Sequence, residues 1–280
     1  MNSVMEWLGS EDSAHSYREL LFSIIKEFGS LDRFHTVSSD SEEENPVGLQ
    51  VVGKNLGVIT VSGSTISKTT NYSRYFGVAS YQDIRERFVE ASDDSNVKAI
   101  LLRVDSGGGQ AAGTSGLAKF ISQVSSKVKP VFTHVEGQMG SAALWYGTAA
   151  KKVIADEDAL SGSLGVIAIH MEYTEAMKQA GVTPTVMRTS PYKALGNPYE
   201  KLTKEARESI ETELKAMHNT FVGAVAENRG MSPSQVQDTI ATGKMYRTDE
   251  AIRLGIVDQK LSLDETVARL LKALDNSAAA

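Results

Sequence analysis

The sequence predicts an α/β protein built on a mostly parallel sheet. Three observations carry that expectation. Residues 57–63, 97–104 and 130–135 are short, β-branched or continuously apolar runs bounded by turn residues, as buried strands are. The stretches between them repeat apolar residues at helical spacing and are long enough to be crossover helices. The chain has 280 residues, 41% of them hydrophobic, which is enough to bury a sizeable core in one or two domains.

Residues 16–34 carry Leu20, Leu21, Ile24, Ile25 and Phe28 at helical spacing, and residues 38–46 are an acidic, Ser-rich run ending at Pro46. Residues 1–46 therefore read as an N-terminal helical arm with an acidic linker, a docking or partly disordered appendage rather than a catalytic element. Residues 47–280 read as the main domain. Within it, Gly57-Val58-Ile59-Thr60-Val61-Ser62-Gly63 is the first strand, and Ser80 can cap a helix burying Ile84, Phe88 and Val89. The strand at 97–104 runs into Asp105-Ser106-Gly107-Gly108-Gly109. A helix with Leu117, Phe120, Ile121 and Val124 then leads to the strand at 130–135.

Later segments read as mainly helical. Thr203 caps a helix with Ile210, Leu214, Met217, Phe221 and Val225, and Ser232-Pro233 begins another. Val267, Leu270, Leu271 and Leu274 give a last helix its apolar stripe.

Composition excludes several function classes. Cysteine is absent, which removes disulfides, thiol catalysis and Cys-ligated zinc. His15, His35, His134, His170 and His218 have no ligand spacing, so no metal site or other cofactor is expected, and no His–Asp pairing suggests itself. With 29 Lys+Arg against 35 Asp+Glu, the net charge of −6 gives no reason to expect nucleic acid. There is no signal-like N-terminus and no apolar run of membrane-spanning length, so the chain is expected to be soluble, unexported and free of the membrane.

Three segments could carry chemistry. The glycine run at 107–109 lets backbone approach a ligand, but Gly108-x-x-x-x-Gly113 is followed by Thr114 rather than Lys, so it is no phosphate loop. An oxyanion hole and a plain tight turn both remain open. Ser141 lies between Gly140 and Ala142 at a strand-to-helix turn, where a serine can be exposed as a nucleophile; tight packing of small side chains explains the same residues. Lys193 lies in the irregular Ser190-Pro191-Tyr192-Lys193-Ala194-Leu195-Gly196-Asn197-Pro198-Tyr199. A loop lysine is ordinarily solvated, whereas one among apolar groups loses its charge more readily and can take a proton from serine.

These segments, with Ser161-Gly162-Ser163-Leu164-Gly165-Val166 and Gly243-Lys244-Met245-Tyr246 through Val257-Asp258, occur in one order over residues 49–261. In that order they resemble the signal peptide peptidase A (protease IV) family of serine peptidases, and within it the capsid-assembly (prohead) proteases of lambda-like phages. The resemblance implies a Clp/crotonase-like fold of repeated ββα units, with residues 47–280 as the catalytic domain. It implies Ser141 as nucleophile, Lys193 as general base and Ser163 as the lysine's hydrogen-bond partner. Backbone N–H groups of Gly108, Gly109 and Ala142 would form the oxyanion hole.

It further implies protein or peptide substrates such as scaffold, capsid or portal proteins, a ring-shaped homo-oligomer with sites at protomer interfaces, and a place in the host cytoplasm or procapsid interior. Where the family usually has proline, this chain has Gly107. The alternatives are a soluble housekeeping peptidase of the same family, a non-catalytic assembly factor, and an acyl-CoA enzyme of the crotonase type.

Overall fold

The computed structural model describes residues 4–9, 46–70, 73 and 76–278. The helix expected at 16–34 and most of the acidic run lie outside the described residues. Val4–Gly9, within the expected arm, forms a strand, β1.

The main sheet starts with β2 (Val47–Val52) and β3 (Leu56–Ser62), an antiparallel pair. β4 (Thr65–Ile66) and β5 (Ala79–Ser80) lead into helix α1 (Tyr81–Asp93). Ser80 caps α1 as expected, its hydroxyl accepting from the Asp83 N–H. Ile84 and Phe88 are buried, but Val89 is 45% exposed and the inward face is completed by Tyr81 and Ala91. Steps from 81 to 84, 88 and 91 follow a helix face; 88 and 89 are adjacent and point about 100° apart.

β6 (Ala99–Ser106) and the short β7 (Gly108–Gln110) follow, then α2 (Thr114–Lys127) and β8 (Val131–Gly140). β3, β6 and β8 are parallel neighbours, so the predicted crossovers exist. β8 is longer than expected: it extends past Val135 to Gly140, and so delivers the chain directly to Ser141 and the short helix α3 (Ala142–Gly147).

Beyond α3 the chain is mainly helical, as expected, and adds five short strands that the sequence did not predict. These are β9 (Lys152–Ala155), β10 (Leu160–Gly162) and β11 (Ile167–His170), then, after α4 (Thr174–Gln179), α5 (Lys204–Arg229) and α6 (Pro233–Thr239), β12 (Met245–Arg247) and, after α7 (Thr248–Arg253), β13 (Gln259–Lys260). The predicted α8 (Leu263–Ala278) closes the described chain. Strands of two to four residues are too short to show a two-residue period, and tertiary pairing defines them.

The main sheet has the order β12-β10-β8-β6-β3-β2, with β9 alongside β8 and β13 alongside β9. A smaller sheet has the order β11-β1-β7-β4-β5. One face of the main sheet buries the large core with α1, α2, α3 and α5; Leu56, Val58, Ala99 and Leu101 on the other face meet Leu270 of α8. Trp145 of α3 stacks on Phe221 of α5 with ring centroids 4.7 Å apart, tying the helix after Ser141 to the longest helix described.

Candidate active site

The ends of β6 and β8 are locked together. Asp105 Oδ1 accepts from the Gln138 N–H at 3.0 Å, and a Cβ at Gly137 would lie 2.5 Å from that oxygen. A bulge between Val104 and Ser106 brings Ser106 opposite Met139. Further along, a Cβ on Gly140 would sit 3.0 Å from the Gly107 carbonyl oxygen. The glycine run and the serine turn, separate in sequence, therefore share one place at the end of the parallel strands, where open α/β sheets form their sites.

Ser141 occupies that turn with φ 50° and ψ −114°, a conformation sparsely populated by residues with a Cβ. It is held there by its N–H donating to Gly162 O at 2.8 Å and its carbonyl accepting from the Trp145 N–H at 3.0 Å. Its Oγ is buried with no hydrogen-bond partner among the described residues. Ala142, the first residue of α3, has an N–H for which the helix supplies no acceptor, beside that hydroxyl.

The glycine run is shaped by close approach. A Cβ on Gly109 would lie 1.9 Å from Thr65 O, so only glycine fits while β7 pairs with β4. Gly108 has φ 103°, and its N–H donates to Ser106 Oγ at 3.2 Å while that hydroxyl donates to Gly63 O at 2.6 Å. Sequence reasoning missed the residue that anchors β7. Tyr81 Oη donates to Gln110 O at 2.6 Å and also bonds Thr65 and Thr114; burial pushes its phenol up to about 12.

Ser163 also belongs to this neighbourhood. Gly162 pairs with Gly140 across β10 and β8, and Ser163 follows with φ 52°, its N–H donating to Lys244 O at 2.7 Å. Lys193 is different. It lies in an exposed turn, its N–H donating to Ser190 O, and it does not hydrogen-bond Ser141 Oγ, which has no partner among the described residues. The fold gathers Ser141, Ala142, Ser163 and the glycine run, and leaves Lys193 on an exposed turn without a hydrogen bond to Ser141 Oγ.

A His–Asp pair, not expected from the sequence, does exist. His134 Nε2 lies 3.4 Å from Asp156 Oδ1, and its Nδ1 is 3.1 Å from Thr266 Oγ1 on α8. Burial holds the imidazole below its ordinary pKa, and burial likewise raises that of Asp156, so the pair favours its uncharged forms. It does not serve Ser141. Thr133, next along β8, bonds Gly147 O of α3, and strand alternation puts His134 on the opposite face with α8.

Residues 123–277, which include Ser141, Ser163 and Lys193, match Peptidase family S49. The chain belongs to Peptidase family S49. Among curated proteins this S49 chain is 30% identical over 239 residues to the capsid assembly protease C of Escherichia phage lambda, covering 85% of this chain and 54% of that protein. It is 27% identical to the head-tail preconnector protein GP5 of Enterobacteria phage P21, over 84% of this chain and 46% of the relative. It is 25% identical to a putative signal peptide peptidase SppA of Enterococcus faecium, over 78% and 64% respectively. The chain thus spans about half the length of the phage relatives it matches. Among solved structures it aligns with an enoyl-CoA hydratase of Shewanella pealeana at a TM-score of 0.49 and 12% identity, over 82% of this chain and 73% of that one. It also aligns with a peptidase of Plasmodium falciparum at a TM-score of 0.45 and 13% identity, over 73% and 95%.

Proposed function

We propose that the chain is a serine endopeptidase with a Ser–Lys dyad that matures phage heads by cutting scaffold and other head proteins. The observation that carries this reading is Ser141: a buried, unpartnered hydroxyl on a strained strand-to-helix turn, in a family of peptidases. In this reading Ser141 Oγ attacks the scissile carbonyl as Lys193 takes its proton. The developing oxyanion is received by backbone N–H groups of Ala142 and of Gly108 or Gly109, and water then resolves the acyl-enzyme. The Gly108 N–H would leave Ser106 Oγ to take part.

Lys193 is exposed in its own protomer, so the lysine that completes a site comes from a neighbouring protomer of a homo-oligomeric ring. Docking there would exclude water from the amine and favour its neutral form, with Ser163 as a hydrogen-bond partner. The phage relatives support head proteins as substrates and the procapsid interior in the host cytoplasm as the place of action. Among the described residues no helix is long and apolar enough to cross a membrane.

Co-expression with a scaffold protein tests this. Wild type cuts it, whereas Ser141→Ala and Lys193→Ala keep their circular dichroism and leave the scaffold whole. Normal processing by Ser141→Ala would sink the reading. The match to a putative signal peptide peptidase favours a second one, a housekeeping peptidase degrading peptides. Robust cleavage of short peptides with an untouched scaffold would select it.

A further inference from the structure

β1 is the second strand of the smaller sheet, between β11 and β7 and antiparallel to both. On one side Val4, Met5, Glu6 and Trp7 face His170, Ile169, Ala168 and Ile167 of β11. On the other side Trp7, Leu8 and Gly9 face Gln110, Gly109 and Gly108 of β7. Residues 10–46 separate β1 from β2, so no short connection forces it into this position. What lies between β7 and β11 is a slot one strand wide whose two edges offer main-chain donors and acceptors, the arrangement by which an extended peptide is recognised.

The slot leads to the serine. Gly9, the last residue of β1, is opposite Gly108. Gly108 follows Gly107, whose carbonyl oxygen lies against Gly140, the residue before Ser141. The other end of β1 pairs with His170 and is carried away from the turn. Gly9 is therefore the end of the strand that lies toward the nucleophile's turn.

We propose that Val4–Gly9 is an internal substrate of this chain, bound in its own peptide slot with Gly9–Ser10 as the bond that Ser141 cuts. The inference rests on the serine-peptidase reading. Ser141 Oγ adds to the Gly9 carbonyl carbon, and its proton passes through the base to the Ser10 nitrogen as the C–N bond breaks. Water then splits the Gly9 ester, returning the proton to Ser141 Oγ and leaving a Gly9 carboxylate. Residues 1–9 leave, and the slot opens to other peptides. Until then β1 blocks it.

The full chain, purified as wild type and as Ser141→Ala, is incubated and followed by intact mass and N-terminal sequencing, with casein cleavage measured in parallel. Wild type is expected to convert to a species beginning at Ser10, and Ser141→Ala to keep residues 1–9. A chain lacking residues 1–9 is expected to cut casein without the lag shown by freshly purified wild type. Casein cleavage by a wild type that keeps residues 1–9, or self-cleavage at another bond only, overturns the inference and leaves the peptidase reading standing. Absence of both cleavages overturns the two together.

Discussion

Ser141→Ala has a consequence for stability as well as for activity. The Ser141 hydroxyl is fully buried and makes no hydrogen bond among the described residues. Burying a hydroxyl without a partner costs about 1–3 kcal/mol in proteins. Alanine removes that cost, keeps the Cβ and forfeits only the dispersion contacts of one atom, so a net gain of about 1 kcal/mol is expected. In a chain of this size that raises the melting temperature by roughly 2 °C. The same substitution at Ser106 should do the opposite, because Ser106 Oγ donates to Gly63 O and accepts from the buried Gly108 N–H. Stranding that N–H costs about 1–3 kcal/mol. The assay is urea unfolding followed by circular dichroism, at dilutions where sedimentation finds monomers. If Lys193 of a neighbouring copy meets the hydroxyl in an assembled ring, as proposed above, the gain disappears there. Destabilisation of monomeric Ser141→Ala would refute the reasoning, since it would mean the hydroxyl is paired inside one protomer.

Two further outcomes are expected. Gly109→Ala places a Cβ 1.9 Å from the Thr65 carbonyl oxygen, which is backbone and cannot swing away; a loss of about 3 kcal/mol or more in urea unfolding is expected, and a wild-type midpoint would contradict it. The folded state depresses the His134 pKa, so its contribution is whole above the unfolded value of about 6.5 and is lost as pH falls below it, where the unfolded chain takes up the proton first. Asp156 acts in the opposite sense nearer the carboxylate range, because burial favours its protonated form. Melting temperature should therefore drop between pH 7 and pH 5 in wild type and drop less in His134→Gln; equal slopes would remove His134 as the cause.

The elements legible in the sequence are those whose own residues carry the signal. β3, β6 and α2 show their buried faces as periodicity, and α1, α5 and α6 announce their starts with Ser80, Thr203 and Ser232, all of which accept the expected capping hydrogen bond. Ser232 even completes a capping box with Gln235. The misses have physical causes. Val89 is apolar but adjacent to Phe88 on the helix and so turns outward. β9 to β13 are too short to have a pattern and exist because a neighbouring strand is there to pair with. The His134–Asp156 pair joins residues 22 positions apart in the chain, brought together by β8 and β9 lying side by side.

By itself the sequence determined the α/β class, the parallel core strands and the identity of the chemically capable residues, because patterning, capping and the supply of nucleophiles are local properties. It also carried the ordered motifs of the S49 family. Only the tertiary structure decided which of those residues meet. It set Ser141 in a strained turn against the glycine run, because Gly140 lets the two backbones approach where a Cβ would lie 3.0 Å from the Gly107 carbonyl oxygen. It left Lys193 on an exposed segment and placed Val4–Gly9 between β7 and β11. Those relations are long-range pairings, and the energies that select them come from burial and sheet hydrogen bonds spread over the whole chain.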